Sequence, residues 1–180
     1  MTAWDLSHFY EPHVLCYHRE LDHQNGHDNV RVFVRGWVAF LSCENDLLMI
    51  RVTQPHMEGY CQQDHQPLTF ASSFPRLLND VVMVSWPEVG RRLAAVSGEV
   101  SYPNRHIDLL DEVNVFGFTM ELSEVNITSE SGSLGAPLLD GEGNVVGVLH
   151  GGNGRFSFFI SLGDLREVLN QWGFILAVPA

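Results

Sequence analysis

Between residues 29 and 160 the chain is a succession of short apolar runs punctuated by Gly, Asn, Asp and Pro. Residues 30–35 alternate, with Val30, Val32 and Val34 on one face, and the pattern runs on through residues 37–40. A period of two is that of a half-buried strand. Runs at 47–52, 68–70 and 81–84 follow at strand-like intervals, and Pro87 and Gly90 then mark a connection. A second series occupies 93–100, 115–120, 125–128, 136–139, 145–149 and 156–160.

Two segments carry a helical pattern. Residues 3–17 place Trp4, Leu6, Phe9, Val14 and Leu15 along short turns limited by Pro12. Residues 161–172 place Leu165, Val168, Leu169 and Trp172 at i, i+3, i+4 and i+7, with Gly173 as the stop. The expected fold is all-β: two small antiparallel β-barrels, a short N-terminal helical segment and a C-terminal helix. Expected boundaries are an N-terminal segment over 1–28, barrels over 29–90 and 91–163, and a helix and tail over 164–180. No internal repeat or low-complexity tract is evident.

Composition fits such a unit. The chain has 180 residues, 45% hydrophobic and 18% charged, which excludes a disordered or fibrous protein. No apolar run approaches the ~20 residues of a membrane span, and the first residues do not read as a signal peptide. Ten basic residues, all Arg, stand against 22 acidic ones, for a net charge of −12. An acidic surface repels phosphate, so neither nucleic acid nor an anionic membrane is an expected partner. Cys16, Cys43 and Cys61 are an odd, widely spaced set that suits a reducing, cytoplasmic compartment. The sequon at Asn126 then carries no sugar.

Five of the nine histidines (His8, His13, His18, His23 and His27) fall in the first 27 residues. Structural zinc sites show two closely spaced ligand pairs, and only Cys61 and His65 form a loose one. The segment reads as solvated, with no metal and no cofactor expected.

Three patterns follow one another along the chain. His56 sits just after the apolar run 47–52, and Asp80 stands at the mouth of the run 81–84. Gly132-Ser133-Leu134-Gly135-Ala136-Pro137 is followed by an apolar strand, an Asp-Gly-Glu-Gly-Asn turn at 140–144 and a second apolar strand. Each has an ordinary reading on its own: a surface His, a strand-capping Asp, a plain loop. In this order and spacing, with 24 residues from His56 to Asp80 and 54 more to Leu134, the set resembles the small chymotrypsin-fold proteases that RNA viruses use to cleave polyproteins. The pattern is most similar to the arterivirus main serine protease, with likeness to picornavirus, calicivirus and potyvirus enzymes. It runs without a gap over residues 132–153.

The resemblance implies a chymotrypsin-type double barrel whose cleft brings His56 and Asp80 to face the turn. A neutral His takes the nucleophile's proton while an Asp fixes its tautomer. Backbone amides at Gly132 and Leu134 would form the oxyanion hole. Thr128, Leu149, His150, Gly151 and Gly152 would line the substrate pocket.

The chain departs from that pattern at its centre. Leu134 occupies the position of the Ser or Cys nucleophile and cannot attack a carbonyl. Leu149 falls where several of these enzymes place a pocket His, and His150, one residue on, would point to the opposite face. The resemblance therefore implies a catalytically silent protease fold that retains polypeptide binding. The alternative is an active serine endopeptidase cleaving after an apolar residue, with Ser133 as nucleophile; a further shifted reading uses Ser131.

Overall fold

The computed structural model describes residues 12–22, 26–52, 66–87, 93–110 and 114–174. The chain forms two compact units, one of Met1–Ser42 with Leu47–Gln66 and one of Cys43–Asp46 with Pro67–Ala180.

In the first unit, β1 (His13–Asp22), β2 (Gly26–Ser42) and β3 (Leu47–Val52) form an antiparallel sheet in that order. The β1–β2 register runs unbroken from His13 opposite Arg35 to Asp22 opposite Gly26. The expected helical segment at 3–17 is therefore corrected over 13–17, which is strand. Ladder bonds to a long neighbour outweigh the weak helical pattern there, and Pro12 precedes the strand. Residues 1–11 lie outside the described residues. At Gly36 a Cβ would come 2.7 Å from the Ile50 side chain, so a bare α-carbon lets β2 and β3 approach. Among the described residues this unit is a three-stranded sheet rather than a closed barrel.

The second unit is a closed antiparallel barrel. Its strands are β4 (Asp80–Ser85), β5 (Ala94–His106), β6 (Glu121–Val125), β7 (Pro137–Leu139), β8 (Val145–Gly152) and β9 (Ser157–Ser161), in the order β4-β5-β6-β9-β8-β7. Inward residues alternate along each strand and fill the interior: Val81 and Met83 from β4, Val100 from β5, Val125 from β6, Leu138 from β7 and Phe159 from β9. Each such side chain contributes about 1.5–3 kcal/mol by leaving water.

Closing the chain, α1 (Leu162–Gln171) starts at Ser161, whose Oγ accepts the Asp164 amide at 3.2 Å. Leu162, Leu165 and Val168 form its buried stripe, in line with the expected spacing. The Arg166 guanidinium donates to the Ala71 carbonyl, tying the 66–79 segment to the helix.

Several sequence expectations shift. β4 belongs to this barrel, so Asp80 lies in the second unit and not in a first barrel ending near residue 90. The run at 68–70 makes only a single bridge, Phe70 beside Val145. Residues 115–120 are not a strand: Asn114 clamps a turn with its side chain bonded to the amide and carbonyl of Phe118. The strand expected at 125–128 lies earlier, at Glu121–Val125.

Candidate active site

Two interlocked turns carry the Gly132–Pro137 motif. The Ser133 amide donates to the Glu130 carbonyl at 3.1 Å, and the Ala136 amide to the Ser133 carbonyl at 3.0 Å. Gly132 and Gly135 have φ of +87° and +80°, in the left-handed region open chiefly to glycine. At Gly132 a Cβ would also lie 2.1 Å from the Pro87 carbonyl oxygen, so the motif packs directly on the chain leaving β4. Reciprocal bonds from the Gly135 amide to the Leu149 carbonyl (2.9 Å) and from the Leu149 amide to the Ala136 carbonyl (2.8 Å) staple it to β8.

This geometry separates the two candidate nucleophile positions. Leu134 is 71% exposed at the turn, whereas Ser133 is 2% exposed. The Ser133 hydroxyl donates to Ser85 Oγ at 3.3 Å, on the last residue of β4. Ser133 is thus enclosed with its hydroxyl bonded, while the Leu134 side chain faces solvent. Ser131 is exposed on the turn. The backbone amides of Gly132 and Leu134 have no acceptor among the described residues.

Asp80 does not join this group. It is the first residue of β4 and Ser85 is the last, a separation of ~16 Å along an extended strand. The turn abuts the Ser85 end. Asp80 instead borders a depression with Glu99, Asn126, Asp140 and Gly141, beside the β7–β8 hairpin. The expectation that Asp80 faces the turn is thus corrected: strand direction carries it to the opposite end of the barrel. His56 lies outside the described residues.

The expected pocket residues also divide. Leu149 points into the barrel core rather than lining a pocket. Thr128 is exposed, as are Gly152 and its neighbour Asn153, while Gly151 is half-buried. A Cβ on Gly152 would lie 2.8 Å from Ser129 Oγ and 3.0 Å from the Phe156 carbonyl, so the 126–130 segment closes against the end of β8.

His150 takes the outward face of β8. Its Nδ1 lies 2.8 Å from Asp46 Oδ2, and Phe118 packs against it edge to face with ring centroids 5.3 Å apart. In the neutral ring with the proton on Nδ1, Nδ1–H donates to that carboxylate and Nε2 is left as the acceptor nitrogen. Asp46 has φ of +50°, and the neighbouring Glu44 carbonyl accepts the Thr119 amide at 2.9 Å. Sequence reading missed this pair. Asn45-Asp46 is an ordinary turn dipeptide, and 104 residues separate Asp46 from its partner.

No family model matches the chain, and no curated protein matches it. Solved structures do. The inactive serine-to-alanine mutant of Rv3671c from M. tuberculosis H37Rv superposes with a TM-score of 0.62 at 20% identity, covering 87% of this chain and 75% of that one. The active form of the Rv3671c protease gives 0.61 at 21% identity, over 82% of this chain and 62% of that one. Deg5 gives 0.59 at 21% identity, over 89% and 70%. These likenesses show the fold, which is chymotrypsin-like: mostly β, with a closed six-stranded barrel followed by a C-terminal helix.

Proposed function

We propose that this chain is a chymotrypsin-fold protein that binds polypeptide without cleaving it, derived from a polyprotein-processing protease of the RNA-virus type and acting in the cytoplasm. One observation carries the reading: the exposed position of the nucleophile turn is filled by Leu134, while the adjacent Ser133 is buried with its hydroxyl committed to Ser85. The unpaired amides of Gly132 and Leu134 support it, because they would receive a peptide carbonyl as an oxyanion hole does, without an attacking group beside them. His56 is the base that the sequence assigns to the site. Such a remnant retains at most ~10³–10⁴-fold acceleration over water.

The active alternative needs Ser133 to leave its buried bond. A fluorophosphonate probe, which reports activated serines, tests the choice. The expected result is no labelling of the native chain. Labelling that disappears in Ser133→Ala would overturn the proposal in favour of an active serine endopeptidase.

A further inference from the structure

The residues joining β8 to β9 form a turn built on one side chain. Asn153 Oδ1 accepts the amides of Arg155 at 3.1 Å and of Phe156 at 2.9 Å. The Asn153 amide donates to the Phe156 carbonyl at 3.1 Å. An asparagine oxygen bonded to amides further along holds its own chain in a bend. Gly154 follows with φ of +82°, and residues 152–155 are all exposed.

Four features of this turn favour attack by the chain on the asparagine itself. The two amides polarise Cγ and face the oxygen on which negative charge develops, as oxyanion-hole donors do. Gly154 has no side chain to screen its nitrogen, and its α-carbon faces open space. Its N–H has no acceptor among the described residues, so removing that proton breaks no bond. Asn153 Nδ2, the leaving group, has no hydrogen-bond partner among them either. Other described asparagines lack this set. Asn114 Nδ2 donates to Asp108 and to the Phe118 carbonyl, and Asn144 Nδ2 to the Asp140 and Glu142 carboxylates. Both are followed by valine, whose branched Cβ crowds the amide nitrogen. Asn153 is the one described asparagine followed by glycine.

We propose that Asn153 and Gly154 form a self-modification site, at which the folded chain converts the asparagine to aspartate or isoaspartate with water as co-reactant. The Gly154 nitrogen, its proton taken by hydroxide, bonds to Asn153 Cγ. The Cγ–Nδ2 bond then breaks, and ammonia leaves with a proton drawn from water, which restores the hydroxide. Water opens the cyclic imide at either carbonyl, giving aspartate or isoaspartate. Both products add a negative charge, and isoaspartate also inserts a methylene into the main chain of the turn. Gly152, the residue before this turn, lies against Ser129 Oγ, so the change falls at the β8 end of the expected peptide pocket. The inference stands on these residues and not on the 132–137 turn.

Peptide mapping by mass spectrometry tests it on the full chain, incubated at neutral and at alkaline pH, with and without guanidinium chloride. In the native chain the amide-to-acid mass gain is expected first at Asn153, about tenfold or more ahead of Asn114 and Asn144. It should quicken at alkaline pH, yield isoaspartate and release ammonia in step. Guanidinium removes the two bonds to Oδ1, so conversion at Asn153 should not speed up, whereas Asn114 and Asn144 should. Asn153→Gln, which would need a larger ring, should keep its amide. Asn153 left intact in the native chain while the unfolded chain converts it would overturn the inference, because the turn would then protect the residue. Equal native rates at Asn153 and Asn114 would overturn it too.

Discussion

Ser133 and Ser85 stand 48 residues apart in sequence and share a buried hydroxyl–hydroxyl bond of 3.3 Å. That bond ties the turn of the candidate site to the end of β4, and it fixes which neighbour faces solvent. Removing either hydroxyl leaves its partner without this bond in a buried site. Ser133→Ala and Ser85→Ala are each expected to lower stability by about 1 kcal/mol. The double variant should lose about as much as one single, because both delete the same interaction. Urea unfolding of the three variants checks this, and strict additivity would show that the hydroxyls act independently.

Gly132 and Gly135 share a positive φ but differ in surroundings. A methyl at Gly132 meets the Pro87 carbonyl, whereas one at Gly135 meets nothing within 4 Å. Gly135→Ala should therefore lose only the conformational term, about 1 kcal/mol. Gly132→Ala adds a backbone collision and should lose more than 2 kcal/mol, or displace the turn. Thermal unfolding of the pair reads the difference, and equal losses would refute the close approach.

How much of this was legible in the sequence follows physical lines. Residues 81–84, 145–149 and 156–160 announced themselves because a small barrel demands alternating inward side chains, and Met83, Leu149 and Phe159 supply them. The helix was legible through Leu165 and Val168 and its Gly173 stop. The apolar pattern failed where hydrogen bonding decided the outcome. β1 is a strand because β2 lies beside it, and residues 115–120 form a turn because the Asn114 side chain holds them. Asp80 carried the right residue type and spacing for a triad acid, but spacing along a chain does not report which end of a strand faces the site. The Asp46–His150 pair left no local trace.

For that pair, geometry sets the expectation. The Asp46 side chain is half exposed, so solvent screens its attraction to His150. Asp46→Asn keeps a residue tolerant of φ +50° and retains a hydrogen-bonding oxygen; it should lose about 0.5 kcal/mol or less. Asp46→Ala loses the bond and strains the backbone as well, and should cost about 1–2 kcal/mol. If the two substitutions were equally damaging, charge rather than backbone conformation would be the controlling factor. Chemical denaturation of both variants separates the cases.

Leu134→Ser puts the question of silence directly. The side chain stands in solvent, so the exchange should shift stability by no more than about 0.5 kcal/mol. It places a hydroxyl beside the Gly132 and Leu134 amides, while Asp80, the acid the sequence assigned to the site, lies at the other end of β4. Loss of the orienting acid lowers a triad's turnover by ~10⁴. Fluorophosphonate labelling of Leu134→Ser is accordingly expected to be slow, roughly 10³–10⁴-fold below that of a complete triad. Adding Asp80→Ala should leave that slow rate unchanged. A further drop in the double variant would mean that Asp80 does reach the site and that the strand-end argument is wrong. Rapid labelling of the single variant would mean that another carboxylate already completes the machinery, with Leu134 as the one missing part.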